Sequence, residues 1–226
     1  MFKTETHIHT TEISSCGKMR AIHIVDAYKE KGYKTIFISD HFDAFYFNQL
    51  GDMSWEDKIT VFFSGFKKAE NYGKSVGVNV LPSVEIDFMD AEFNGNPNHY
   101  LLYGDIKEFL LKYPDVYKIG IEEFSKIAKE NDIFVVQAHP FRDGACYPTP
   151  EYVDAFEVHN TSPRHDDFDD KAIAVAKEHN LYMTGGSDCH RPEDLGLGGI
   201  ETENEIKTVK DYIDAVKSGK AVILNG

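Results

Sequence analysis

His7-Ile8-His9, Asp40-His41, Glu85, His139 and Asp188-Cys189-His190 set imidazoles and carboxylates at the ends of short apolar runs. Imidazole nitrogen and carboxylate oxygen suit zinc, manganese and iron alike, so the pattern reads as a multinuclear metal site. Side chains alternate across a strand, which sends His7 and His9 to one side and Ile8 to the other. Asp188 and His190 repeat that arrangement and leave Cys189 on the opposite face. Glu85 closes the run Leu81-Pro82-Ser83-Val84, where a carboxylate can bridge two cations. His139 follows Val135-Val136-Gln137-Ala138. Asp40 and His41 are adjacent and point different ways, so His41 is assigned to metal and Asp40 to orienting the ligands from behind. Each residue has a bland reading: HxH is commonly packing or surface, a lone strand-end Glu is usually solvated, and a buried histidine is usually structural. Their joint occurrence carries the weight.

Glu12, in Thr10-Thr11-Glu12-Ile13-Ser14-Ser15, is a further candidate carboxylate ligand, with surface exposure as its alternative. His99 opens its run rather than closing it, and reaches the site only if Phe88 to Asn98 folds back over it. Arg142, Arg164 and Arg191 fall in loops after strand ends. A guanidinium binds phosphate bidentately, so these three form the candidate substrate clamp, with surface ion pairing as the alternative. His159, at the end of Glu157-Val158-His159, is a candidate for facing substrate, whereas His23, His165 and His179 are expected at the surface.

The elements that must position these residues alternate in type. Strands are expected at Lys3 to Ile8, Thr35 to Ser39, Val78 to Val84, His99 to Tyr103, Ile133 to Ala138, Ala155 to Val158, Leu181 to Thr184 and Ala221 to Leu224. Helices are expected at Ala21 to Lys31 with Ile22, Val25 and Tyr28 inward, from the Ser54 cap to about Ser75, and at Gly120 to Glu130, Asp169 to His179 and Val209 to Ser218. Asn94 to Asn98 is a turn cluster. Strand-helix alternation predicts a parallel sheet, most simply a closed or distorted barrel whose strand C-termini converge on one face.

The length, 226 residues, fits one domain spanning 1–226. A formal charge of −14 disfavours nucleic acid, because phosphate-backbone binding rests on Lys and Arg patches. No run suits a membrane span or signal peptide, so a cytoplasmic protein is expected. Cys16, Cys146 and Cys189 show no CxxC spacing and read as ordinary thiols. Nothing in the sequence addresses oligomeric state.

Taken together, Thr6-His7-Ile8-His9-Thr10, Ser39-Asp40-His41, Glu85, His99, His139-Pro140 and Gly186-Ser187-Asp188-Cys189-His190 resemble the PHP family, named for polymerase and histidinol phosphatase domains. The match keeps the family's order across almost the whole chain. The resemblance implies a distorted TIM-like (β/α)7 barrel holding two to three divalent ions, with zinc, manganese and iron as the candidates. It puts His7, His9, Glu85 and Asp188 on a first ion, Glu85, His99 and His139 on a second, and His41 with His190 on a third. The family usually adds an Asp or His to the third ion from the loop after HxH. That loop here has neither, and Glu12 is the inferred substitute.

The expected activity is hydrolysis of a small phosphomonoester. Hydroxide between two cations attacks phosphorus, with Glu85, Asp188 and His190 at the metals and Arg164 and Arg191 on the phosphoryl oxygens. No Gly-rich phosphate loop, dinucleotide fingerprint or serine-nucleophile elbow competes. An amidohydrolase-type deaminase or amidase, a nuclease of the same family, and a non-catalytic metal-binding module are the alternatives. Asp40-His41 and Asp188-Cys189-His190 count against the first, the acidic charge against the second, and the near-complete ligand set against the third.

Overall fold

Ile36-Phe37-Ile38 is buried on both faces, the demand made of a strand covered by helices on one side and further chain on the other. The computed structural model describes residues 1–93 and 96–225. In chain order it contains β1 (Phe2–Glu5), α1 (Ala21–Glu30), β2 (Tyr33–Ile38), β3 (His41–Phe42), α2 (Ala44–Gln49), α3 (Trp55–Phe62) and α4 (Ser64–Val76). There follow β4 (Asn79–Pro82), β5 (Val84–Phe93), β6 (Asn96–Tyr103), α5 (Ile106–Lys112), α6 (Ile121–Glu130) and β7 (Phe134–Gln137). The last elements are β8 (Ala155–Asn160), α7 (Asp169–Glu178), β9 (Tyr182–Gly186), β10 (Ile200–Thr202), α8 (Val209–Lys217) and β11 (Val222–Ile223).

The strands form two sheets, in the orders β11-β10-β1-β2-β4 and β3-β5-β6-β7-β8-β9. The expected closed or distorted barrel is met only in part: the architecture is mixed α/β, and the strands form two ladders rather than one closed one. The chain passes between the sheets four times, and the direct passages from β2 to β3 and from β4 to β5 lie side by side. At those crossings Ser83 N donates to Ile38 O at 2.9 Å and Glu85 N to Asp40 O at 3.1 Å. On the far side the sheets meet in a seam. There Ile8 bridges Cys189 in parallel, His9 N donates to Cys189 O at 2.9 Å, and Cys189 N donates to His7 O at 3.0 Å.

The sheets are also not all parallel. β6 runs antiparallel to β5 and β7, and β10 antiparallel to β1 and β11. Alternation failed as a guide because no helix separates β5 from β6, so the chain reverses there as a hairpin. Asn94 and Gly95 of the predicted turn lie outside the described residues; Asn96, Pro97 and Asn98 belong to β6. This reversal delivers His99: opening an antiparallel strand, it stands opposite Asp87, beside the C-terminal end of β7.

Two further expectations change. Helix α1 buries Ala21, Ile24, Val25 and Tyr28, an i, i+3, i+4, i+7 stripe that leaves Ile22 exposed. The helix capped by Ser54, whose Oγ accepts from Asp57 N at 3.2 Å, breaks at Phe63 into α3 and α4. The core anchors the site from behind at Phe42, which packs against Phe47, Phe62, Trp55 and Tyr117. Burying one such ring contributes about 1.5–3 kcal/mol, enough to hold the two-residue β3 in place with His41 on its other face. Among the described residues no helix is long and apolar enough to cross a membrane.

Candidate metal centre

Glu85 is the hub. His41 stands directly across from it in the β3–β5 register, and His99 lies diagonally across the β5–β6 ladder, two residues from Glu85's partner Leu101. Its Oε1 lies 3.2 Å from His7 Nε2, 3.2 Å from His99 Nδ1 and 3.3 Å from His139 Nε2. Its Oε2 lies 2.9 Å from His41 Nδ1 and 3.3 Å from His9 Nε2. From the seam, Asp188 brings Oδ1 to 3.3 Å from His7 Nε2 and 3.1 Å from His9 Nε2, which are themselves 3.1 Å apart.

Those separations test the site for a cation. A tetrahedron of nitrogen and oxygen ligands at about 2.0–2.1 Å from an ion has edges of about 3.3–3.4 Å. His7 Nε2, His9 Nε2 and Asp188 Oδ1 sit 3.1–3.3 Å apart, close to that edge, and Glu85 offers Oε1 at 3.2 Å from His7 and Oε2 at 3.3 Å from His9. Glu85 Oε2 and Asp188 Oδ1 are also buried and make no well-aligned hydrogen bond, although imidazole nitrogens stand 2.9 and 3.1 Å away, an arrangement that a cation would relieve. The residues fit a divalent ion. Two more groups can hold one, His41 with Glu85 and His99, and His9 with His41 and His190.

Electrostatics follow the same geometry. Burial opposes charge on Glu85, but His99, His7 and His41 outweigh it and hold the carboxyl well below its ordinary range. Asp188 is likewise held low against burial by His7, Arg142 and His190. Burial disfavours a charged His7, yet Glu157, Asp188 and Glu85 raise it well above its usual value. His9 is lowered well below its own by burial and by the neighbouring His190 and His41. His139 is lowered to about 4 by burial and Arg142.

The predicted residues divide on inspection. His7, His9, His41, Glu85, His99, His139, Asp188 and His190 converge on one cluster. Glu12 does not: its Oε2 accepts from Ala21 N at 3.0 Å, and it tethers the first residue of α1 instead. His159 also turns away and pairs with Asp169, because the β8–β9 register shifts between Glu157 and His159 and ends the alternation that would have aimed both side chains inward. Asp40 stands behind the ligands as expected. Its Oδ1 accepts from Ser14 Oγ at 2.7 Å, and that oxygen accepts in turn from His9 Nδ1 at 3.3 Å and His41 N at 3.0 Å.

Of the arginines, Arg142 donates through Nε to Asp167 at 2.9 Å and through Nη1 to Asp188 at 2.6 Å. Its Nη2 is buried without a hydrogen-bond partner. Arg164 pairs with Asp194, a buried carboxylate that also accepts from His190 N and Arg191 N. Arg191 is exposed at the rim. All three line one cavity of about 260 Å³, with Cys16, His41, Glu85, His99, His165, Asp188 and His190.

Sequence reasoning missed three supports. Glu157 Oε1 accepts from His7 Nδ1 at 3.0 Å and Oε2 from Asn160 Nδ2 at 2.7 Å, and Gly186 makes this contact feasible, since a Cβ there would stand 2.4 Å from Oε1. Glu5 accepts from His7 N, Ser187 N and the Tyr28 hydroxyl, tying β1 to the seam. Its position two residues before His7 on the same face was the available signal. Cys16 lines the cavity beside His190 and His41; burial raises the thiol, but those two histidines bring it down to about 6.

A mixed α/β fold carrying a histidine–carboxylate cluster at converging strand ends defines the class. Residues 168–221 match the PHP_C family model, described as PHP-associated. Over that segment the chain is similar to PHP-associated sequences, and its fold is similar to that of proteins containing PHP-like domains. A two-domain protein of Bacteroides vulgatus containing a predicted PHP-like metal-dependent phosphoesterase shares the fold at TM-score 0.69 and 16% identity, over 99% of this chain. The chain spans only 64% of that protein. PsfC of Pseudomonas syringae matches at TM-score 0.67 and 19% identity, over 100% of this chain and 93% of its own. The lesion-specific endonuclease EndoQ of Pyrococcus furiosus matches at TM-score 0.63 and 18% identity, over 98% of this chain and 57% of its own. At these identities the likeness is one of fold. No curated protein matches the chain.

Proposed function

We propose that the chain is a metal-dependent phosphoesterase acting on a small phosphomonoester. The observation that carries this reading is the cavity of about 260 Å³, whose floor is the histidine–carboxylate cluster and whose wall holds Arg142, Arg164 and Arg191. That volume lies below the ~300–1,000 Å³ of drug-sized ligand sites, which suits a phosphoryl group with a compact leaving group.

His7, His9, Glu85 and Asp188 would hold one divalent ion, Glu85 with His99 and His139 a second, and His41 with His190 a third. When bound, such ions supply a water-derived nucleophile at neutral pH and offset charge on the phosphoryl oxygens. The protein's own groups do the rest. Glu157 keeps His7 turned with Nε2 toward the cluster, and Asp40 acts through Ser14 on His9 and on the start of β3. Arg142, fixed by Asp167 and Asp188, leaves its Nη2 donors for a phosphoryl oxygen. Arg164 and Arg191 extend that wall, and the net charge of −14 favours a compact anion drawn to this local positive patch over a long polyanion.

The test is a substrate panel of phosphomonoesters, phosphodiesters and amides, run on protein reconstituted with zinc, manganese or iron. Monoester hydrolysis should vanish on chelation and return with the ion. Turnover of diesters alone would replace this reading with a nuclease, and turnover of amides alone with an amidase.

A further inference from the structure

The loop after His9 sends Glu12 to α1, and the side chain it brings to the cluster instead is Cys16. The turn is tight for a definable reason. A Cβ on Gly17 would stand 2.8 Å from the carbonyl carbon and oxygen of Thr10, so the chain closes here only without one. Lys18 N then donates to His190 O at 2.7 Å, fastening the loop to the segment that carries His190. The Cys16 side chain lines the same cavity as His41 and His190.

Three histidines already mark this place for a cation: His9, His41 and His190 bring nitrogens within 4.8 Å of one another. The His9 ring stacks on the other two at 4.3 and 4.1 Å. His41 turns Nδ1 to Glu85 Oε2 at 2.9 Å, and His190 turns Nδ1 to the Asp188 carbonyl at 2.8 Å. Those contacts leave the Nε2 atom of each ring for a cation. Independently of the cysteine, Glu85 Oε2 is buried beneath this group and makes no well-aligned hydrogen bond, although His41 and His9 nitrogens stand 2.9 and 3.3 Å from it.

We propose that Cys16 is a thiolate ligand of the divalent ion held by His41 and His190, so that this position prefers a soft ion such as zinc to magnesium or manganese. Sulfur with two imidazole nitrogens is a ligand set that selects by softness, whereas the neighbouring positions offer nitrogen and oxygen only. Departure from the carboxylate or imidazole that the resembled family places in this loop becomes a change of metal preference at one position. The inference rests on the metal-dependent reading above and is independent of the substrate.

Cobalt provides the test. Protein reconstituted anaerobically with Co²⁺ should show a thiolate-to-cobalt charge-transfer band in the near-ultraviolet. Cys16→Ser should abolish the band and bind roughly one ion fewer per chain, while Cys146→Ser keeps both. Cys16→Asp should restore the ion count without the band. In the unaltered protein, bound zinc should also protect Cys16 from iodoacetamide, a readout that needs no variant to fold. Cobalt uptake with visible d–d absorption but no charge-transfer band overturns the Cys16 assignment and leaves the rest of the metal reading standing. Absence of any cobalt uptake overturns both.

Discussion

His7 Nδ1 donates to Glu157 at 3.0 Å, and that bond leaves only Nε2 to meet a cation. Removing the negative charge without changing shape weakens the hold on the tautomer, so Glu157→Gln should lower metal affinity by about 10–100-fold, read by competition with a chromogenic chelator. An unchanged affinity would make Glu157 a packing residue only. The arginines separate by the same reasoning. Arg142 grips Asp188, itself positioned as a ligand, so Arg142→Ala should weaken metal retention as well as activity on a phosphomonoester. Arg191 is exposed at the rim, and Arg191→Ala should raise KM with metal content intact. Equal metal loss in both would refute the distinction. Seven of the eight convergent residues were legible because type and strand-end position coincide, whereas His99, which opens its run, was legible only through the family resemblance. Glu12 and His159 misled because neither a loop's path nor a register shift is written in local residue type.

Helix α1 begins at Ala21 without a side-chain cap from Arg20, and Glu12 supplies the acceptor from a distant turn. Caps of this kind contribute about 0.5–2 kcal/mol, so Glu12→Ala should lower unfolding free energy by that order while leaving metal stoichiometry unchanged. A loss of bound ion would return Glu12 to the ligand set. The elements nearest the site were the hardest to read from sequence. β3 is two residues long and owes its place to Phe42, whose burial among other aromatic rings arises from tertiary packing rather than from any local period. The direction of β6 was hidden for a related reason: apolar runs look alike in either orientation, and only the missing helix between β5 and β6 tells the two apart.

The histidine–carboxylate cluster draws on both sheets, His7 and His9 from the end of β1 and Glu85, His99, His139 and Asp188 from the other sheet or its edge. Ions that bind only the folded chain stabilise it, by about 2.7 kcal/mol at one hundred times Kd. Chelation should therefore lower Tm and speed hydrogen exchange of the His9 and Cys189 amides at the seam more than of amides in the β6–β7 ladder. A uniform change across both regions would mean that the ions do not act as a staple. The seam has a further consequence for the order of assembly. Ser187 N and the Glu5 carboxylate that joins it are 182 residues apart, so the chain must travel nearly its whole contour before this contact can form. Contacts of such separation pay loop entropy first and are rewarded late. The hairpin of β5 and β6, with Glu85 and His99 on adjacent strands, can exist long before that closure. Two members of the cluster are thus available early as a weak, open harbour for ions, and docking of the first strand against the ninth is the step that would convert transient capture into slow release.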